Sequence, residues 1–124
     1  MGMIRQTLKK RFGTPEKHLH LRVICSTVGP GKARLLGLIA EKNSITEAAR
    51  EMRMSYKRAW QLVDNLNGSF QEPLVESITG GSHGGGSRLT KTGERVLELY
   101  RAIHEKSLAA TAKELKKLRG LLKP

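Results

Sequence analysis

The sequence predicts a mainly α fold with a small β wing: a winged helix-turn-helix followed by a long C-terminal helix. Three observations carry that prediction. Ser44 and Ser55 each stand where a short helix opens, and the second of these helices has one apolar and one basic, polar side. Two strand-like runs flank the glycine-rich stretch TGGSHGGGSR. The last run of helix formers repeats its apolar residues at alternating three- and four-residue steps.

Residues 1–17 are rich in Lys and Arg, with Gly13 and Pro15 interrupting any regular pattern. They read as a flexible basic arm or, equally, as a disordered tail carrying expression residues. From His18 the period is two: Leu19, Leu21 and Val23 alternate with His18, His20 and Arg22, as in a half-buried strand ending near Cys25 or Ser26. Gly29-Pro30-Gly31 is a turn that cannot continue it. Leu35, Leu36, Ile39 and Ala40 form one helical apolar face, with Lys32, Arg34 and Glu41 off it and Asn43 closing the helix. Ser44 and Glu47 have capping-box spacing for a second, short helix that turns Ala48, Ala49 and Met52 inward. Met54 and Ser55 break it, and Ser55 caps a third.

In that third helix Tyr56, Ala59, Trp60, Val63 and Leu66 share one face, and Lys57, Arg58, Gln61 and Asn65 project from the other. Pro73 restarts the chain, LVESI reads as a strand, and Arg88-Leu89-Thr90 returns as its partner across the glycine tip. Thr92 caps the final helix, expected from Gly93 to about Arg119. Its first half offers Val96, Leu97, Tyr100 and Ile103 to the core. In its second half Leu108, Thr111, Leu115, Leu118 and Leu122 follow a coiled-coil seam that calls for a second copy of the chain. The domains expected are thus a basic arm at 1–17, a winged helix-turn-helix at 18–92 and a dimerisation helix at 93–124.

Composition narrows the function. The 124 residues hold 23 Lys and Arg against 11 Asp and Glu, a formal net charge of +12, which points to a polyanionic partner. Cys25 is the only cysteine, so neither an internal disulfide nor a thiolate zinc cluster is available, and a reducing cytoplasm fits. No apolar run approaches the roughly 20 residues of a membrane span, and the N-terminus lacks the apolar core of a signal peptide.

Tyr56 and Trp60 could stack on bases, but on the apolar face they read as core. The 80–86 glycines lack the Lys-Ser/Thr of a phosphate loop and precede a strand, and Gly29-Pro30-Gly31-Lys32 fails because Arg34 stands where glycine is needed. His18 and His20 share a strand face without a third ligand in reach, so no metal is expected. No catalytic set of residues can be assembled, so no enzyme and no cofactor are expected.

Ser55-Tyr56-Lys57 with Ala59-Trp60, Leu74-Val75-Glu76, Thr79-Gly80-Gly81, Gly84-Gly85-Gly86, and Leu89-Thr90 with Gly93 resemble the DNA-binding domain of the ModE family. These are molybdate-responsive bacterial transcriptional regulators whose N-terminal domain is a LysR-type winged helix. The resemblance covers about residues 29–106, and the strand at 19–25 is also similar to single-domain ModE-like proteins. It implies double-stranded DNA binding and homodimerisation. The family's molybdate-binding β-barrels follow the long helix and have no counterpart before Pro124, so molybdate is not expected to bind this chain directly.

On this reading the chain is a cytoplasmic, sequence-specific transcriptional regulator with its third helix in the major groove. Lys57, Arg58 and Gln61 are expected at base edges, and Asn65 at a base or a phosphate. Ser44, Thr46 and Ser55 stand at helix starts, where hydroxyls and N–H groups meet phosphates. The glycine tip lies on the backbone or in the minor groove with Arg88 and Lys91, and His83 either joins them or merely fills the loop. Arg5, Lys9, Lys10 and Arg11 add affinity without sequence information. Leu108, Leu115, Leu118 and Leu122 are expected in the dimer seam. Two rival readings are a non-specific nucleoid-type DNA binder and an adaptor whose C-terminal helix docks on a separate ligand-sensing protein.

Overall fold

The structure, a computed structural model, describes residues 27–79 and 85–124. The expected arm, the strand at 19–25 with His18 and His20, and the glycine tip with His83 lie outside the described residues. One compact unit spans Cys25–Tyr100, and residues 101–124 belong to a second.

The first unit begins with α1 (Pro30–Lys42), α2 (Ile45–Glu51) and α3 (Tyr56–Ser69). Pro30 does not lie in a turn but is the first helical residue. Its fixed φ suits that position and its missing N–H is not needed there. Ala33, Leu35, Leu36 and Ile39 are the buried face of α1, and Ala40, expected among them, is exposed. Asn43 ends the helix with φ 52°, its N–H donating to the Ile39 carbonyl at 2.8 Å. Ser44 then caps α2, its Oγ accepting from the Glu47 N–H at 3.1 Å. The Glu47 carboxylate takes the Arg50 guanidinium at 3.1 Å instead of completing the capping box.

Between α2 and α3 the turn is made by Arg53, which adopts φ 55°. The Met54 N–H donates back to the Ala49 carbonyl at 3.0 Å, the six-to-one bond of a Schellman ending. Ser55 caps α3 by accepting from the Arg58 N–H at 3.0 Å. Ala59, Val63 and Leu66 point into the core shared with Leu35, Leu36, Ile39, Ala48 and Leu74.

The wing is an antiparallel pair, β1 (Val75–Ile78) and β2 (Gly86–Leu89), in the register Val75↔Leu89 and Glu76↔Arg88. Its other edge is tied to the helices, because the Ser87 N–H donates to the Asn43 carbonyl at 3.1 Å. A Cβ on Gly86 would stand 2.6 Å from that carbonyl oxygen, so glycine is what allows the approach.

α4 (Lys91–Ala110) leaves the wing directly. Its cap is Thr90, not Thr92. Thr90 Oγ1 accepts from the Gly93 N–H at 2.9 Å while donating to the Pro73 carbonyl at 2.7 Å. Thr92 is occupied with the Glu72 carboxylate. Leu97 is buried, with Val96 and Tyr100 half-buried beside the core, but Ile103 is exposed.

In the second unit the expected single helix is interrupted. Thr111 has ψ 11°, and α5 (Ala112–Gly120) starts after it. The Thr111 hydroxyl donates to the Ser107 carbonyl one turn back at 2.6 Å, a local bond that competes with regular helix geometry. The expected seam therefore spans α4 and α5, which meet at Thr111, with the Thr111 N–H still donating to the Ser107 carbonyl at 3.1 Å and the Leu115 N–H to the Thr111 carbonyl at 2.9 Å. Leu115 is 7% exposed and Leu108 half-buried, whereas Leu118 and Leu122 are 46% and 44% exposed.

Candidate nucleic-acid interface

α3 positions the candidate site because only one of its sides is needed by the core. With Ala59, Val63 and Leu66 buried, the helical period sends Lys57, Arg58, Gln61 and Asn65 outward together, and all four are exposed. Residues 57 and 61, 58 and 61, and 61 and 65 are three or four apart, so their side chains form one continuous polar strip. Such long donors and acceptors match the pattern presented by major-groove base edges.

Asn65 has a second attachment. Its Oδ1 accepts from Lys32 Nζ at 2.5 Å, and the same ammonium donates to the Thr27 carbonyl at 3.2 Å. The start of α1 is thereby tied to α3, and Asn65 keeps its Nδ2 donors for another partner. Ser44 and Ser55 accept cap bonds through their hydroxyl oxygens, and each retains an O–H to donate. Thr46 is exposed on the first turn of α2. On the wing, Arg88 Nε donates to Glu76 Oε1 at 2.9 Å, a pair set directly cross-strand that engages Nε and not its two terminal nitrogens. Lys91 is exposed where α4 begins.

Tyr56 differs from expectation. It is not core: it is 53% exposed at the first position of α3, its ring edge-on to Trp60 with centroids 6.1 Å apart. Trp60 is half-buried against the core, so the outer ring of the pair faces solvent beside Lys57 and Arg58. At the helix N-terminus the inward stripe has only begun, and the Tyr56 ring stays exposed.

Asn67 has a role that no sequence pattern marks. Its Oδ1 accepts from the Leu74 and Val75 N–H groups at 2.9 and 3.1 Å, and its Nδ2 donates to the Val75 carbonyl at 3.2 Å. One amide therefore joins the end of the exposed helix to the first strand of the wing. A capping-prone Asn before Gly68 was the available signal, but its partners lie seven and eight residues away across a loop.

Among the described residues no three His, Cys, Asp or Glu side chains gather as a metal site. No described helix is long and apolar enough to cross a membrane.

Known proteins align with this arrangement. The family described as bacterial regulatory helix-turn-helix proteins, lysR family, matches residues 32–94, which run from α1 through the wing into α4. The molybdenum transport protein ModE of Azotobacter vinelandii is 43% identical over 72 residues, 58% of this chain and 27% of that protein. The molybdenum-pterin-binding protein MopB of Rhodobacter capsulatus is 38% identical over 104 residues, 76% of this chain and 38% of its own length. The DNA-binding transcriptional dual regulator ModE of Escherichia coli K12 is 41% identical over 71 residues, 57% of this chain and 27% of that protein. The chain thus spans about a quarter to two-fifths of the length of these relatives.

Proposed function

The chain belongs to the LysR family of bacterial regulatory helix-turn-helix proteins, and from that premise we propose that it is a ModE-like, sequence-specific regulator acting on double-stranded DNA. The observation that carries the proposal is the exposed strip of Lys57, Arg58, Gln61 and Asn65 on a helix whose other side is locked in the core. A rigid helix with such a strip fits the major groove, and a strand pair beside it reaches the flanking backbone. Lys57 and Arg58 suit guanine, Gln61 suits adenine, and the hydroxyls of Ser44, Thr46 and Ser55 suit phosphates. Arg88 and Lys91 place positive charge at the root of the wing.

The protein acts as a homodimer in the bacterial cytoplasm, with Leu108, Leu115, Leu118 and Leu122 at the contact between copies. Two recognition helices would then address half-sites about 34 Å apart on one face of the duplex. The names of the relatives suggest targets among genes for molybdenum handling. The reading assigns molybdate to no residue of this chain.

The test is selection of genomic DNA fragments by the purified protein at about 150 mM salt, because that concentration suppresses purely electrostatic binding. An enriched two-fold motif is the expected result. Uniform recovery would discard sequence-specific regulation in favour of a charge-driven binder. Failure to retain any fragment, with capture of a separate sensor protein, would favour an adaptor.

A further inference from the structure

Charge is divided unevenly along this chain. Residues 25–100 hold ten of the 23 Lys and Arg and eight of the 11 Asp and Glu, a formal net charge of +2. The other 48 residues hold the remaining thirteen and three, and so carry +10 of the total +12. Half of that excess lies in residues 101–124, where seven Lys and Arg stand with two Glu. The unit containing the recognition helix is thus nearly neutral, and three of its arginines are paired: Arg50 with Glu47, Arg88 with Glu76 and Arg95 with Glu98.

On α5, Lys113, Lys116 and Lys117 are spaced three and four apart, so they share one side of the helix, and all three are exposed. None of the three takes part in an ion pair among the described residues. Leu115 and Leu118 lie on the opposite side, and Leu115 is buried. A face that served solubility alone would mix both signs of charge. An interfacial membrane helix needs its apolar face free; here Leu115 is covered, and the exposed Leu118 and Leu122 are those the proposed dimer contact would cover. A one-signed cationic strip is complementary to the phosphate backbone of nucleic acid.

We infer that α5 is a second phosphate-binding surface, on which Lys113, Lys116 and Lys117 contact the DNA backbone without reading sequence. It rests on the proposed double-stranded DNA partner and divides the work of binding. α3 and the wing choose the site, and α5 supplies a share of the salt-dependent affinity.

The test uses the full chain and its K113Q/K116Q/K117Q variant, titrated on a duplex carrying the selected motif and on a random duplex. The slope of log affinity against log salt should become shallower by about 2 to 3 units for three lost contacts, on both duplexes alike. From about 50 to 200 mM salt the wild-type affinity should therefore fall about 40-fold further than that of the variant. K113R/K116R/K117R should retain the wild-type slope, which separates charge from any effect on folding. Equal slopes for wild type and the Gln variant would overturn the inference. Lysine-dependent binding to vesicles of anionic phospholipid, with the DNA slope unchanged, would overturn it in favour of a membrane surface. If the two duplexes bind equally while the slope still drops, sequence-specific regulation fails and the second phosphate surface stands.

Discussion

Arg58 places its backbone and its side chain in different tasks: the N–H is held by Ser55 Oγ, and the guanidinium is exposed on the strip. Replacing Arg58 by Ala leaves that cap intact. It should relax discrimination at one base pair by about 1–3 kcal/mol, measured by competition among single-base variants of the selected site. An equal loss on every sequence would make Arg58 a phosphate contact instead. Asn67 is the opposite case, a polar residue whose amide is consumed inside the protein. Asn67→Ala strands the Leu74 and Val75 N–H groups and should lower stability in urea by about 1–3 kcal/mol. Asn67→Asp keeps the acceptor but sets a carboxylate against the Val75 carbonyl, so it should fall between the two.

The turn between α2 and α3 decides the angle at which the recognition helix is presented, and it rests on a non-glycine residue at positive φ. Arg53 at φ 55° has its Cβ crowded against the backbone, a conformation that costs about 1–2 kcal/mol in any L-residue. Arg53→Val adds β-branching and should destabilise by about that amount, whereas Arg53→Gly should be neutral or stabilising in the same thermal melts. Further along, the wing is gripped at both ends. Asn67 holds β1 to α3, the Asn43 carbonyl holds β2 to the α1–α2 corner, and Thr90 closes the junction to α4. The Gly93 side of that junction is tight, since a Cβ there would collide with the Leu74 carbonyl oxygen. These ties give a two-stranded sheet a fixed place, which an isolated hairpin would lack.

For the whole molecule, the relevant quantity is how affinity divides between charge and sequence. If about six to eight phosphates are neutralised, log affinity should fall against log salt with a slope of about −5 to −7. That slope should be similar on random and motif-bearing duplexes, while the ratio between them reports base reading. A dimer should protect two half-sites on one face of the duplex and sediment as two chains per motif. One chain per motif would remove the seam at Leu108, Leu115, Leu118 and Leu122 from the interface.

Much of this was legible in the sequence because it depends on short-range rules. Ser44 and Ser55 mark helix starts through bonds three residues long, Asn43 marks a left-handed stop, and the 3.6-residue period separates Ala59, Val63 and Leu66 from Lys57, Arg58 and Gln61. The glycine-flanked strands likewise announce a hairpin. What only the tertiary structure decided depends on partners far apart in the chain or on a choice between near-equal local options. Asn65 meets Lys32 across 33 residues, and Asn67 meets Val75 across a loop. Thr92 reads as the cap of α4 in the sequence, but the cap is Thr90, whose hydroxyl also reaches the Pro73 carbonyl, distant in the chain. Tyr56 lies on the apolar face by periodicity, yet the core ends before it. Thr111 is tolerable in a helix by propensity, but its hydroxyl bonds the Ser107 carbonyl where the helix breaks. Periodicity tells which side of a helix is inside; only packing tells where the inside stops.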